Sequence, residues 1–154
     1  MDEPRWLDDE EMAAWRGFVV ASNLVERRLE QQLKESAGLS HTQYEILSQL
    51  SEAPGRSLRM TDLADRLVTS KSGLTYQITQ LEKAGLVSRR SCSSDVRGVF
   101  AELTEHGWEV LREVAPGHVA TVREALIDLL TREQLAVLAE GLGTVSARLR
   151  AGDR

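Results

Sequence analysis

The chain has little of what an enzyme, a secreted protein or a membrane protein needs. It holds a single cysteine, Cys92, among 154 residues, which excludes an intrachain disulfide and a cysteine-rich zinc site. No apolar run approaches the roughly 18 residues required to span a bilayer, so no membrane partner is expected. The first residues are acidic and polar, so no secretory signal peptide is expected and the protein reads as cytoplasmic. Gly38 and Gly55 lack the lysine pattern of a phosphate-binding loop. No serine–histidine–aspartate order and no paired carboxylates stand out for catalysis. No enzyme activity, cofactor or metal is therefore expected. His41, His106 and His118 show no HxxxH spacing; each reads as a surface or capping histidine, and pairs assembled in space across a dimer stay open.

What is present is a helical pattern of single-domain length, 42% apolar and 28% charged. It centres on residues 60–85. Leu63, Ala64 and Leu67 mark one face of a short helix. Thr69-Ser70-Lys71-Ser72 interrupts the pattern, with Ser70 as N-cap of a second helix. Leu74, Ile78 and Leu81 form that helix's apolar stripe, and Gly85 suits its C-terminal cap. This is the helix-turn-helix plan. The outer face of the second helix carries Ser72, Thr75, Tyr76, Thr79 and Lys83, with Gln80 nearby. It offers hydroxyls, an amide, a phenol and a cation but no carboxylate. Such groups donate to phosphate oxygens and reach base edges in a major groove.

The net charge of −5 is unevenly divided. Residues 56–100 hold eight basic and four acidic residues, a net +4, which leaves −9 on the remainder. Positive charge gathers around the second helix, the electrostatic footprint expected of nucleic-acid binding.

In chain order, Asp8 or Asp9 caps a helix running to about Glu35, with Glu10 and Glu11 near its positive end. Trp15, Phe18, Val19, Ser22, Val25, Leu29 and Leu33 form its stripe. At about 26 residues it would be roughly 39 Å long, a length suited either to packing on a partner subunit or to wrapping on its own core. Trp6 and Leu7 precede the cap and are placed to staple the chain onto this helix or a partner. A helix with Tyr44, Ile46, Leu47 and Leu50 follows, capped by Ser40 or Thr42 and broken by Pro54-Gly55. Leu58 marks a short extended segment. After Gly85, residues 86–90 and 99–103 read as two strands around a turn-rich 91–98. A hairpin directly after a reading helix is a wing. It carries Arg97 at its tip and Arg89 and Arg90 on its flanks, and arginine in such a hairpin suits a minor groove. Asp95 is placed to pair with a wing arginine.

Residues 104–107 open a further helix carrying Trp108, Val110, Leu111 and Val114. Pro116-Gly117 is expected to kink or break it. Val119, Val122, Leu126, Ile127, Leu129 and Leu130 continue at helical spacing. Thr131 caps a last helix with a stripe of Leu135, Leu138, Leu142, Val145 and Leu149, and residues 151–154 read as a frayed tail. The first helix and these C-terminal stripes are the expected dimer interface, led by Trp15, Phe18, Leu126, Leu130, Leu135, Leu138 and Leu142.

The segments Leu81-Glu82-Lys83-Ala84-Gly85-Leu86-Val87, Arg89-Arg90, Asp95-Val96-Arg97 and Leu103-Thr104-Glu105-His106-Gly107, in this order after a long helix and a helix-turn-helix, resemble the MarR (multiple antibiotic resistance regulator) family. The resemblance covers nearly the whole chain, with the specific motifs in about 60–107. It implies a mostly α fold with a small β-hairpin wing. A winged helix-turn-helix region over 40–107 would lie between dimerisation helices over 8–36 and 108–150, all in one domain, 1–154. It further implies a homodimeric transcription factor on pseudo-palindromic DNA. The factor would act as a repressor released by a small phenolic or carboxylate effector. By the same resemblance Asp95 and Arg97 form the wing-tip pair, and Ser70, Ser72, Thr75 and Tyr76 lie on the reading helix; relatives often carry a basic residue where this chain has Tyr76. The expected DNA-binding set is Ser70, Lys71, Ser72, Thr75, Tyr76, Thr79, Gln80, Arg89, Arg90, Asp95 and Arg97.

Two other readings compete. A winged helix that binds only proteins would present an acidic or apolar outer face on the second helix, and this one presents neither. A redox-sensing regulator would use Cys92, whose thiol lies near Arg89 and Arg90 in sequence.

Overall fold

The computed structural model describes residues 3–91 and 98–152. Helix α1 spans Asp9–Ala37. Its first turn is closed by a capping box. The Asp8 carboxylate accepts from the Glu11 N–H at 2.8 Å, and the Glu11 carboxylate accepts from the Asp8 N–H at 3.0 Å. Gly38 ends it at φ 67°, a left-handed cap that a side chain would strain. Ser40, not Thr42, caps α2 (His41–Glu52), with Gln43 completing a second capping box. A 3₁₀ turn at Pro54–Arg56 leads into β1 (Ser57–Arg59). Helix α3 covers Met60–Leu67 and α4 covers Lys71–Lys83. Strands β2 (Val87–Ser91) and β3 (Val99–Leu103) form the wing hairpin. Helix α5 spans Glu105–Ala125 and α6 spans Arg132–Gly152.

The expected hairpin gains a third strand. The order is β1-β3-β2, all antiparallel, with Leu58 opposite Ala101 and Arg90 opposite Phe100. This seats the extended segment around Leu58 against the base of the wing.

The core lies where α2, α3 and α4 meet the sheet and the C-terminal half of α1. Leu33, Ile46, Leu47, Leu50, Leu63, Leu74, Ile78, Leu81 and Val87 are completely enclosed. Truncating any of these leucines or isoleucines to alanine costs about 2–5 kcal/mol. Gly107 is fixed by proximity: a Cβ there would lie 2.1 Å from the Leu86 carbonyl oxygen and 2.7 Å from Leu103 Cδ1. The glycine lets the start of α5 dock directly on the loop that leaves α4.

Several expectations change. Pro116 does not break α5, which runs through it to Ala125. Its missing N–H removes one helical bond, and the packing of α5 along α1 and α2 holds the helix across that gap. The 119–130 stretch is not one helix; α5 stops, and Ile127–Leu129 forms a 3₁₀ turn before α6. Thr131 and Gln134 cap α6 reciprocally. Ala151 and Gly152 belong to that helix rather than to a frayed tail. Trp6 is 83% exposed, so it does not staple onto α1. Val68, a β-branched residue, takes φ 53° at the end of α3, a strained conformation that polar punctuation in the sequence does not announce.

Candidate nucleic-acid interface

Helix α4 presents its polar face outward because its apolar stripe is consumed by the core. Leu74, Ile78 and Leu81 are buried, while Lys71, Ser72, Thr75 and Tyr76 are exposed, Tyr76 to 62%. Ser70 caps the helix by accepting from the Gly73 N–H at 3.0 Å. The Thr75 and Thr79 hydroxyls donate to the carbonyls of Lys71 and Thr75, at 2.9 and 2.8 Å. These hydroxyls keep a lone pair outward. Thr79 and Gln80 are half-buried on the flank. Gln77 accepts from the Gln43 amide at 3.1 Å, which ties α4 to α2.

The wing arginines are braced by carboxylates. Arg89 pairs with Glu82 at 3.0 Å and reaches the Thr79 hydroxyl at 3.4 Å. This pairing holds Glu82 below the usual carboxylate range. Arg90 pairs with Glu102 at 2.7 Å and lies over the Phe100 ring. Glu82 of α4 and Glu102 of β3 are partners that sequence spacing did not reveal. Asp95 and Arg97, and Cys92 with them, lie outside the described residues.

Between α3, α4 and the wing runs an open cleft of about 430 Å³. Arg59, Lys71 and Arg89 line it with Thr61, Thr75 and the apolar side chains of Met60, Leu74 and Val99. Three cations and two hydroxyls, with no carboxylate in the lining, suit a phosphate backbone.

The fold that holds this cleft recurs in known proteins. The MarR family model matches residues 39–99. Sco3205, a MarR family transcriptional regulator from Streptomyces coelicolor solved in complex with DNA, is 47% identical, with a TM-score of 0.91 over 95% of this chain and 91% of that one. AbsC, a MarR family transcriptional regulator from the same organism, is 48% identical, with a TM-score of 0.92 over 96% and 99%. NadR, solved with 4-hydroxyphenylacetate, is 26% identical, with a TM-score of 0.69 over 94% and 97%. The chain belongs to the MarR family.

It is therefore a DNA-binding transcriptional regulator, and its relatives are regulators rather than enzymes. The winged helix-turn-helix of this MarR regulator is the part most enclosed within the chain. The residues expected at a dimer interface lie elsewhere. Trp15 and Phe18 are 56% and 49% exposed and stack on one another, with ring centroids 6.3 Å apart. Leu126, Leu130, Leu135 and Leu138 are half-buried, and Leu142 is exposed. No residue of α6 is buried. Arg150, near its end, donates to the carbonyls of Asp65 and Arg66 at 2.8 and 3.4 Å, which links α6 to the C-terminal end of α3.

One cluster departs from the sequence reading. His118, expected at the surface, is buried, and its Nδ1 has no hydrogen-bond partner. Tyr44 stacks on it at 4.1 Å between centroids, and His41 lies 5.6 Å away. His41 is the first residue of α2, not its cap. The Glu45 carboxylate, with that of Glu26, holds His41 above the ordinary histidine value despite partial burial. Burial, then the neighbouring His41, pushes His118 below it. His41 and Glu45 stand one helical turn apart, a spacing visible in the sequence; His118 arrives from α5, and only the fold brings it there.

Proposed function

We propose that this regulator is a homodimer that reads a pseudo-palindromic operator and represses transcription in the cytoplasm until a small phenolic or carboxylate effector releases it. The observation that carries the dimer is α6. A 21-residue helix with an apolar stripe and no buried residue leaves Val137, Leu142, Val145 and Leu149 in water, which a monomer does not sustain. A two-fold partner covers this stripe together with Trp15 and Phe18 of α1 and Leu126, Leu130, Leu135 and Leu138. Segments 8–36 and 108–150 are then the dimerisation region, and 40–107 the DNA-binding region.

In that dimer two α4 helices enter successive major grooves about 34 Å apart. Ser72, Thr75, Tyr76, Thr79 and Gln80 face base edges. Ser70, Lys71 and Arg89 contact phosphates along the cleft, and Arg90 stiffens the wing through Glu102 and Phe100. Arg97 is the proposed minor-groove contact, with Asp95 as its expected wing-tip partner. A protein seated over two turns of promoter excludes polymerase from them, which supports repression. The NadR complex supports effector binding, since a phenolic carboxylate is accommodated on a related fold.

The test is selection of genomic fragments by the purified protein, followed by affinity measurements on the recovered duplex at graded salt. One enriched inverted repeat, and an affinity that falls steeply with salt as phosphate contacts demand, is the expected result. Affinity that is flat in salt, or equal on unrelated duplexes, would overturn the reading.

A further inference from the structure

The structure assigns a second chemistry to the junction between α1, α2 and α5. We propose that His41, Glu45 and His118 form a binding site for a divalent metal ion of the zinc class, with Glu26 orienting His41. One donor atom from each of the three lies within 4.8 Å of the others. His41 Nε2 and Glu45 Oε1 are 3.4 Å apart. Tetrahedral zinc with bonds of about 2.0–2.2 Å holds its donors roughly 3.3–3.5 Å apart, so this pair already has the required separation. Bringing His118 in asks for about an ångström of side-chain movement.

Three further features fit a metal better than a simple ion pair. His41 Nδ1 is held by both oxygens of Glu26, at 2.7 and 2.9 Å. That fixes the ring and leaves Nε2 pointing at Glu45, the carboxylate–histidine–metal arrangement. His118 is 8% exposed and carries a buried nitrogen without a partner. Such a nitrogen is destabilising unless something satisfies it, and nothing among the described residues does. The donors are two imidazoles and one carboxylate, which suits zinc and its neighbours rather than calcium or magnesium. Three protein ligands leave a fourth position for water or an anionic ligand.

The position gives the site a consequence, which rests on the operator reading above. Glu26 belongs to α1, His41 and Glu45 to α2, and His118 to α5. Helix α1 carries proposed dimer contacts and α5 leads into those from Leu126 onward; α2 is bonded to α4 through Gln43 and Gln77. A metal here fastens the dimer scaffold to the reading helix, so its occupancy sets the spacing of the two reading helices and hence operator affinity.

The experiment uses the full-length protein, stripped by chelator and dialysed. Zn²⁺ is titrated against a chromogenic competitor, and Co²⁺ is added separately to read its visible absorption. One Zn²⁺ per chain is expected, with the intense Co²⁺ bands of four-coordinate geometry. His118→Gln should weaken zinc by more than the roughly 100-fold upper range for losing a supporting partner. Glu45→Gln should do likewise, and being half-exposed it serves if the buried His118 variant does not fold. His106→Gln, on an exposed histidine of α5 outside the cluster, should bind as the wild type does. No stoichiometric binding, or binding unchanged in Glu45→Gln, overturns the site. Operator affinity is then measured with and without Zn²⁺. Zinc bound with no change in operator affinity overturns the coupling alone. No operator binding in either state overturns the operator reading, while the zinc titration still decides the site.

Discussion

Leu74, Ile78 and Leu81 in α4 are each at most 1% exposed, whereas α6, with a comparable stripe of leucines and valines, buries none of its residues. The two helices obey the same periodicity, and their surroundings differ. Helix α4 finds α2, α3 and the sheet within its own chain, so its apolar side is spent and its polar side is what the solvent sees. Helix α6 extends from the 3₁₀ turn after α5 with its stripe unpartnered. Charge follows the same division. The net +4 of residues 56–100 lies around α4, and the −9 is spread over the rest of the chain, so positive charge gathers on the side that reads a ligand. A helix whose stripe is satisfied internally is free to read a ligand with its other face; one whose stripe is not must find a second chain.

The strongest way to break this contrast is to charge α6. Leu138→Glu places a carboxylate on the stripe of a helix that the rest of the chain does not bury. We expect the winged core to stay folded by circular dichroism and the protein to sediment as a monomer. Operator affinity should fall by about 10²–10⁴-fold as two linked half-site contacts become one. A variant that still sediments as a dimer would remove α6 from the interface.

The complementary change leaves the dimer and strikes the reading side. Arg97→Ala should weaken operator binding by roughly tenfold, in the range for loss of one groove contact, with sedimentation unchanged. Equal affinity of variant and wild type at one salt concentration would take the wing tip out of recognition. Together with Leu138→Glu it separates assembly from readout, because Leu138→Glu should move sedimentation and affinity together, whereas Arg97→Ala should move affinity alone.

The winged region was legible because its signals are local. Ser70 capping, the Leu74–Ile78–Leu81 stripe, the glycine after α4 and the alternating hairpin each depend on neighbours within a few residues, and all appear where expected. What the sequence concealed was non-local. Pro116 sits inside α5 because packing against α1 and α2 outweighs one missing hydrogen bond. Arg89 finds Glu82 because β2 packs beside α4, and Arg90 finds Glu102 across the β2–β3 register. His118 of α5 meets His41 and Glu45 of α2, and no spacing rule reaches that far. Gly107 lies between these cases. Its place in the motif was visible, but its reason, a backbone oxygen 2.1 Å from any added Cβ, was not.

Two glycines put a scale on the difference between the enclosed and the open region. Gly107→Ala forces the start of α5 away from Leu86 and Leu103, and overpacking of this kind costs about 1–3 kcal/mol. Urea unfolding at fixed protein concentration should show that loss, because the atom in the way is backbone and cannot rotate aside. An unchanged midpoint would mean that α5 is not seated as tightly as the contact distance implies.

Gly143 should respond with the opposite sign. A Cβ added there meets nothing within 4 Å, and its φ is helical, so no backbone strain opposes alanine. At 100° per residue it lies about 120° from the middle of the Leu135–Leu149 stripe, on the side turned away from the proposed partner. Glycine within a helix costs roughly 0.5–1 kcal/mol against alanine. Gly143→Ala should therefore raise the unfolding free energy by that amount and leave operator affinity alone. A loss of stability would mean that α6 is covered on two sides in the dimer, with the partner wrapped around it rather than laid along one face. This small effect thus measures how far the interface extends around the helix, which the charge substitution at Leu138 cannot do.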